Sequence, residues 1–214
     1  MSEIRTLSTT IQGRYLVASA GVGAPLLVGF HGYGQNAEQL LEDLRGIPGA
    51  ERWTRVAIQA LHRFYSPKSQ EVVASWMTRQ DREQAILDNV AYVRRVLAEL
   101  RVSQGNGRLV YAGFSQGAAM AWRAVAHCGP CEGLMVLGGD LPMDVAEAAD
   151  LQLPRILLGR GEEDPFYTAA QLDQDLATLA NRGVKPEVVR FEGGHAWAPE
   201  FLIAAGRFLE AIQS

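Results

Sequence analysis

Short apolar runs recur along this chain, with amphipathic helical stretches between most of them: Leu26–Phe30, Val56–Ala60, Leu109–Tyr111, Leu134–Leu137, Arg155–Leu158 and Val188–Phe191. A strand with one wet face alternates polar and apolar residues. A run without alternation, such as Leu26–Phe30, reads as a strand buried on both faces. Between these runs the period changes to that of a helix. Ile86, Val90, Val93, Leu97 and Leu100 form one apolar stripe of a long helix that ends before Gly105. A helix begins near Asn36 with Leu40, Leu41 and Leu44 facing inward. Another opens on the capping box Thr168-x-x-Gln171, buries Leu172, Leu176 and Leu179, and stops at Gly183. The last starts at Pro199 and packs through Leu202, Ala205, Phe208, Leu209 and Ile212. Strands and helices in alternation predict an α/β fold, a mostly parallel central sheet with helices on both faces.

Two stretches fit this alternation less well. Leu7–Ile11 and Tyr15–Ala20 flank Gln12-Gly13 and read as a hairpin. Leu61–Gln80 reads as a long irregular segment. The length of 214 residues and an apolar content of 48% fit one domain over residues 1–214, with no linker or repeat. A net charge of −4, with no cluster of Lys and Arg among aromatics, argues against nucleic acid as a partner. The N-terminus lacks a basic stretch followed by an apolar core, and no run is long enough to span a membrane. A cytoplasmic protein is expected; a homodimer is left open.

Chemistry concentrates at Tyr111-Ala-Gly-Phe-Ser-Gln-Gly-Ala. An apolar strand enters Gly113-Phe-Ser115-Gln-Gly117 and an alanine-rich helix leaves it, which is the setting of a nucleophile elbow. The turn is so tight that glycines are needed on either side of the serine. A serine hydroxyl needs a histidine to take its proton, and the histidine needs a carboxylate to fix its tautomer. In an elbow fold these follow in the order serine, acid, histidine, each after a strand. Asp164 follows the Arg155–Leu158 strand, and His195 follows Phe191 behind the flexible Gly193-Gly194. Asp140, Glu162 and Glu163 are competitors for the acid. An oxyanion hole requires two N–H donors. Gln116 offers one, and Tyr33, in the turn after Leu26–Phe30, offers the other.

Rival readings are weaker. Gly32-x-Gly34-x-x-Ala37 resembles a dinucleotide fingerprint, but the next strand ends without the acid that would hold the ribose. Cys128-Gly-Pro-Cys131 has thioredoxin-like spacing, yet it follows a helix rather than starting one and reads as a loop. His31 reads as a structural hydrogen-bonding residue, and His62 and His127 as surface groups. The histidines and cysteines lack zinc-ligand spacing, so no metal is expected.

His31-Gly-Tyr-Gly-Gln35, Ser75-Trp76, Gly113-Phe-Ser-Gln-Gly117, Leu137-Gly-Gly-Asp-Leu-Pro142, Gly161-Glu-Glu-Asp-Pro165 and Gly193-Gly-His-Ala196 occur in order over nearly the whole chain. This set resembles the phospholipase/carboxylesterase family of small α/β-hydrolases that includes the acyl-protein thioesterases. The resemblance implies an α/β-hydrolase fold with no separate lid domain. It also implies a Ser115–His195–Asp164 triad, an oxyanion hole from the Tyr33 and Gln116 amides, and no cofactor. Met77-Thr78 after the tryptophan and Trp197 before Pro199 depart from the usual pattern where substrate is expected. Trp76, Phe114, Phe166, Tyr167 and Trp197 are the aromatics expected to wall a substrate pocket. The expected function is a serine carboxylesterase acting on small to medium acyl esters through an acyl-enzyme. A thioesterase or lysophospholipase with the same triad is the alternative within the class, and a non-catalytic α/β binding module the alternative outside it.

Overall fold

The computed structural model describes residues 2–105, 107–148 and 150–213. Its centre is a seven-stranded sheet in the order β1-β3-β2-β6-β7-β8-β9. These strands are β1 (Arg14–Ala18), β2 (Leu26–Phe30), β3 (Thr54–Gln59), β6 (Leu109–Phe114), β7 (Gly133–Leu137), β8 (Arg155–Gly161) and β9 (Glu187–Phe191). Only β1 runs antiparallel to its neighbour; β2, β3 and β6 to β9 pair in parallel. Every residue of β2, β6 and β7 is buried, as runs without alternation require when helices cover both faces.

The helices are α1 (Ala37–Arg45), α2 (Arg82–Gln104), α3 (Gln116–His127), the single turn α4 (Met143–Ala146), α5 (Ala169–Asn181) and α6 (Pro199–Gln213). They divide the interior into two apolar layers. One packs Val90, Val93, Leu97 and Leu100 of α2, with Met120 and Trp122 of α3, against Tyr111, Leu134 and Leu158. The other packs Leu40 and Leu44 of α1 and Phe201, Phe208 and Leu209 of α6 against Leu27, Val110 and Leu157. Start signals act as read. Asn36 caps α1 reciprocally with Gln39, and Thr168 caps α5 with Gln171.

Two expectations are corrected. Leu7–Ile11 is exposed and forms no strand, so there is no N-terminal hairpin; β1 pairs instead with β3. Tyr15 and Leu16 gain partial burial there, which Leu7 has no neighbouring surface to provide. The segment Leu61–Gln80 is not irregular either. It holds the antiparallel pair β4 (His62–Tyr65) and β5 (Val72–Ser75), tied to the turn after β2 through a Gln35–Ala74 bridge. Two of the four β4 residues carry charge or imidazole, and three are exposed, which hides the strand from any hydrophobic-period reading.

Candidate active site

Parallel strands deliver their following loops to one edge of the sheet. The turns after β2, β6, β7, β8 and β9 meet there. At its centre Ser115 has φ 55 and ψ −122, a conformation that strains any residue with a side chain. Close approach forces the flanking glycines. A Cβ on Gly117 would lie 2.1 Å from the Phe30 carbonyl oxygen, and one on Gly113 2.5 Å from that of Gly117. The Ser115 N–H donates to the Leu137 carbonyl at 2.9 Å, locking the elbow to β7. Among the described residues the Ser115 hydroxyl makes no hydrogen bond, and such bonds often tighten only around substrate.

Asp164 and His195 come together from separate loops. His195 Nδ1 lies 2.7 Å from Asp164 Oδ2, with side-chain exposures of 15% and 1%. A carboxylate oxygen accepts, so the proton of this bond sits on Nδ1. The other carboxylate oxygen accepts the N–H groups of Phe166 at 2.8 Å and Tyr167 at 3.0 Å. The glycine turn after β7 lies against both these groups and Ser115. A Cβ on Gly138 would stand 2.9 Å from His195 Cε1, and one on Gly139 2.6 Å from the Ser115 carbonyl oxygen. Asp140, Glu162 and Glu163 are exposed, and Glu162 pairs with Arg160.

The turn after β2 faces Ser115: a Cβ on Gly32 would be 3.2 Å from Ser115 Cβ. Among the described residues neither the Tyr33 nor the Gln116 N–H is spent on a protein acceptor, and Gln116 is the first residue of α3, where helices leave donors unpaired. The turn is held rigidly. Gln35 Oε1 accepts from the Gly32 N–H at 2.7 Å, and the Gly34 N–H donates to Ala74 at 3.0 Å. His31 is fully buried below it, donating from Nδ1 to the Gly32 carbonyl at 2.7 Å and accepting at Nε2 from the Ala60 N–H at 3.1 Å. Burial pushes its pKa down to about 4, so the ring is neutral and structural.

Of the five aromatics expected to wall a pocket, two are misplaced by that reading. Trp76 is fully buried: it stacks near Phe30 and His31, and its indole N–H donates to the His31 carbonyl at 2.8 Å. Tyr167 is 2% exposed, with its hydroxyl donated to Asp175 at 2.7 Å. Both point into the protein because their polar tips have partners only there. Phe114, Phe166 and Trp197 do gather at His195. The Phe114 ring lies 4.7 Å from the imidazole centroid, the Phe166 ring 5.0 Å from it, and Trp197 6.0 Å from Phe114. An open cleft of about 630 Å³, lined by Arg94, His127, Pro130 and Leu151 among others, lies at the far end of α3 and shares no residue with this site.

Several supporting residues escaped the sequence reading. The Gln116 side chain accepts from the Trp76 N–H at 2.8 Å and donates to the Met77 carbonyl at 2.9 Å. Asp175 accepts from Tyr167 and, at 3.0 Å, from the Leu141 N–H, joining the acid loop to the turn after β7; burial raises its pKa to about 6. Arg160 donates from Nε to the Tyr167 carbonyl at 2.8 Å. The signal was present: Asp175 sits on the apolar stripe of Leu172 and Leu179, and Arg160 interrupts an apolar strand. The Cys128-Gly-Pro-Cys131 loop lies beyond the C-terminal end of α3, where no helix N-terminus lowers a thiol pKa. Burial drives the two thiols up to about 11 and about 12.

The sheet order, elbow and loop placement define an α/β-hydrolase fold. The chain belongs to the dienelactone hydrolase family, whose model matches residues 56–201. No curated protein matches the sequence. Among solved structures it is similar to Zea mays acyl-protein thioesterase 2, with a TM-score of 0.75 and 19% identity over 95% of this chain and 100% of that one. Esterase PE8 gives 0.69 and 24% identity, again over 95% and 100%. A Bacillus cereus carboxylesterase gives 0.71 and 16% identity over 94% of each chain. These likenesses are in fold, and they fall on the same group of enzymes that the motifs resemble.

Proposed function

We propose that this protein is a serine carboxylesterase that hydrolyses small to medium acyl esters through an acyl-enzyme, without metal or organic cofactor. His195 Nε2 takes the Ser115 proton as Oγ attacks the ester carbonyl, while Asp164 holds the imidazole at Nδ1. The Tyr33 and Gln116 N–H groups receive the negative charge that develops on the carbonyl oxygen. His195 then returns the proton to the leaving alcohol, and water repeats the sequence on the acyl-enzyme. One observation carries the reading: a strained Ser115 shares its sheet edge with a part-buried 2.7 Å Asp164–His195 pair. A lactone is an internal ester opened by the same acyl transfer, so the family's description is compatible with it. A thioester would pass through the same steps.

Replacing Ser115 with Ala should lower turnover of a chromogenic ester by at least ~10⁴-fold, with the circular dichroism spectrum unchanged. A fluorophosphonate probe should label the parent protein at Ser115 and leave the variant unlabelled. Labelling elsewhere, or turnover by the variant, would overturn the proposal; a parent protein with neither turnover nor labelling would favour the binding-module reading.

A further inference from the structure

Phe166 combines two properties that ordinary packing does not explain. The residue is 71% exposed, yet its ring is held edge-on 5.0 Å from the His195 imidazole. Its position is fixed from behind, because its own N–H donates to Asp164 Oδ1 at 2.8 Å. The other ring on the imidazole, Phe114, is 7% exposed and belongs to the core. Phe166 is therefore the ring that offers apolar surface to an incoming molecule beside the proposed base.

Which part of an ester would meet it follows from the chemistry, and here the inference rests on the triad reading above. In the tetrahedral intermediate the carbonyl oxygen turns to the Tyr33 and Gln116 amides. The leaving oxygen must turn to His195, which gives it the proton taken from Ser115. A group attached to that oxygen lies against whatever flanks the imidazole. We infer that Phe166 is a specificity-determining residue for the leaving group, and that the enzyme prefers esters of apolar, ring-bearing alcohols. The step is balanced: the C–O bond to the alcohol breaks, Ser115 Oγ takes its place on the acyl carbon, and the alcohol departs with the proton from His195.

The inference separates acylation from deacylation. Once the alcohol has left, Phe166 has no substrate group to contact, and every ester of one acid yields the same acyl-enzyme. Benzyl and methyl butyrate are suitable probes, sharing an acyl group and having leaving alkoxides of similar basicity. An aromatic contact is worth ~0.5–1.5 kcal/mol beyond its area, so Phe166→Ala should cut the benzyl-over-methyl preference in kcat/KM by up to about tenfold. Acylation by the benzyl ester should fall by about that factor more than hydrolysis of the butyryl-enzyme. Phe166→Tyr should restore the preference. An unchanged benzyl-over-methyl ratio would overturn the inference. So would equal falls in acylation and deacylation, which would mean that Phe166 acts only by holding Asp164. Ser115→Ala, run in parallel, should lose both esters; if it keeps them, the triad reading fails and this inference with it.

Discussion

At the scale of single residues, Ser115 and His31 show a cost accepted for position. Ser115 holds a backbone conformation natural only to glycine, a strain of ~1–3 kcal/mol. Glycine there would relieve it and lose up to ~1 kcal/mol through the freer unfolded chain. Ser115→Gly should therefore be inactive yet more stable by about 1 kcal/mol, raising Tm by ~2–4 °C in a chain of this size. Calorimetry would show it. His31 is neutral when folded, with its pKa pushed down to about 4 from 6.5 by burial. As pH falls below 6.5 the unfolded chain takes up a proton that the folded protein refuses, so the stability His31 contributes is lost between 6.5 and 4. Asp175, raised to about 6 by burial, works in the opposite sense: the stability from its protonated form is lost as pH rises through 6. Only a variant isolates one from the other. The stability advantage of the parent over His31→Gln should shrink by about 2–3 kcal/mol between pH 7 and 4.5, as measured by urea unfolding at each pH.

At the scale of elements, the β4–β5 hairpin is joined to the site by few bonds, and Gln116 makes the most direct of them. Its amide pairs with the Trp76 N–H and the Met77 carbonyl, near Ala74 of β5, which bridges to the turn after β2. Gln116→Ala would leave the Trp76 N–H unpaired, costing ~1–3 kcal/mol, while the Met77 carbonyl would keep the Ser75 hydroxyl at 2.7 Å. It should also lower kcat about tenfold, short of the ~10²–10³ lost with an oxyanion donor itself, while KM moves less. Steady-state kinetics with denaturant unfolding would separate the two effects. A period reading misses this hairpin because β4 turns charge and imidazole to solvent and a Pro-containing tip divides the strands. Its own packing does not announce it; its partner Gln35 does, from another part of the chain.

At the scale of the whole molecule, most of the architecture was legible because buried parallel strands leave no freedom for polar residues. Leu26–Phe30 and Gly133–Leu137 lie where apolar runs put them, and α5 begins at its capping box. The order of Ser115, Asp164 and His195 was legible for the same reason: each follows a strand of that sheet. The pocket was not. Trp76 and Tyr167 are near the machinery in sequence, but which way an aromatic turns depends on partners such as the His31 carbonyl and Asp175, which lie far along the chain. The thiols depend on the whole fold as well, since burial holds them at about 11 and about 12. At pH 7.5 a thiol reagent should modify the buried Cys128 of a Cys131→Ser variant slowly, at the rate of global opening, and react fully in denaturant. Fast labelling of that variant in its native state would contradict the burial of Cys128.

The sheet order also bears on biosynthesis. Ser115 leaves β6 at the middle of the sheet, Asp164 follows β8, and His195 follows β9, an edge strand that comes later in the chain than the other six. Proteins grow from the N-terminus, so the elbow can form on a nascent chain well before the base exists to activate it. On the triad reading, the growing polypeptide remains chemically silent until β9 and the His195 loop after it emerge. Ribosome-stalled chains ending before Glu187 should present a folded serine that no fluorophosphonate labels.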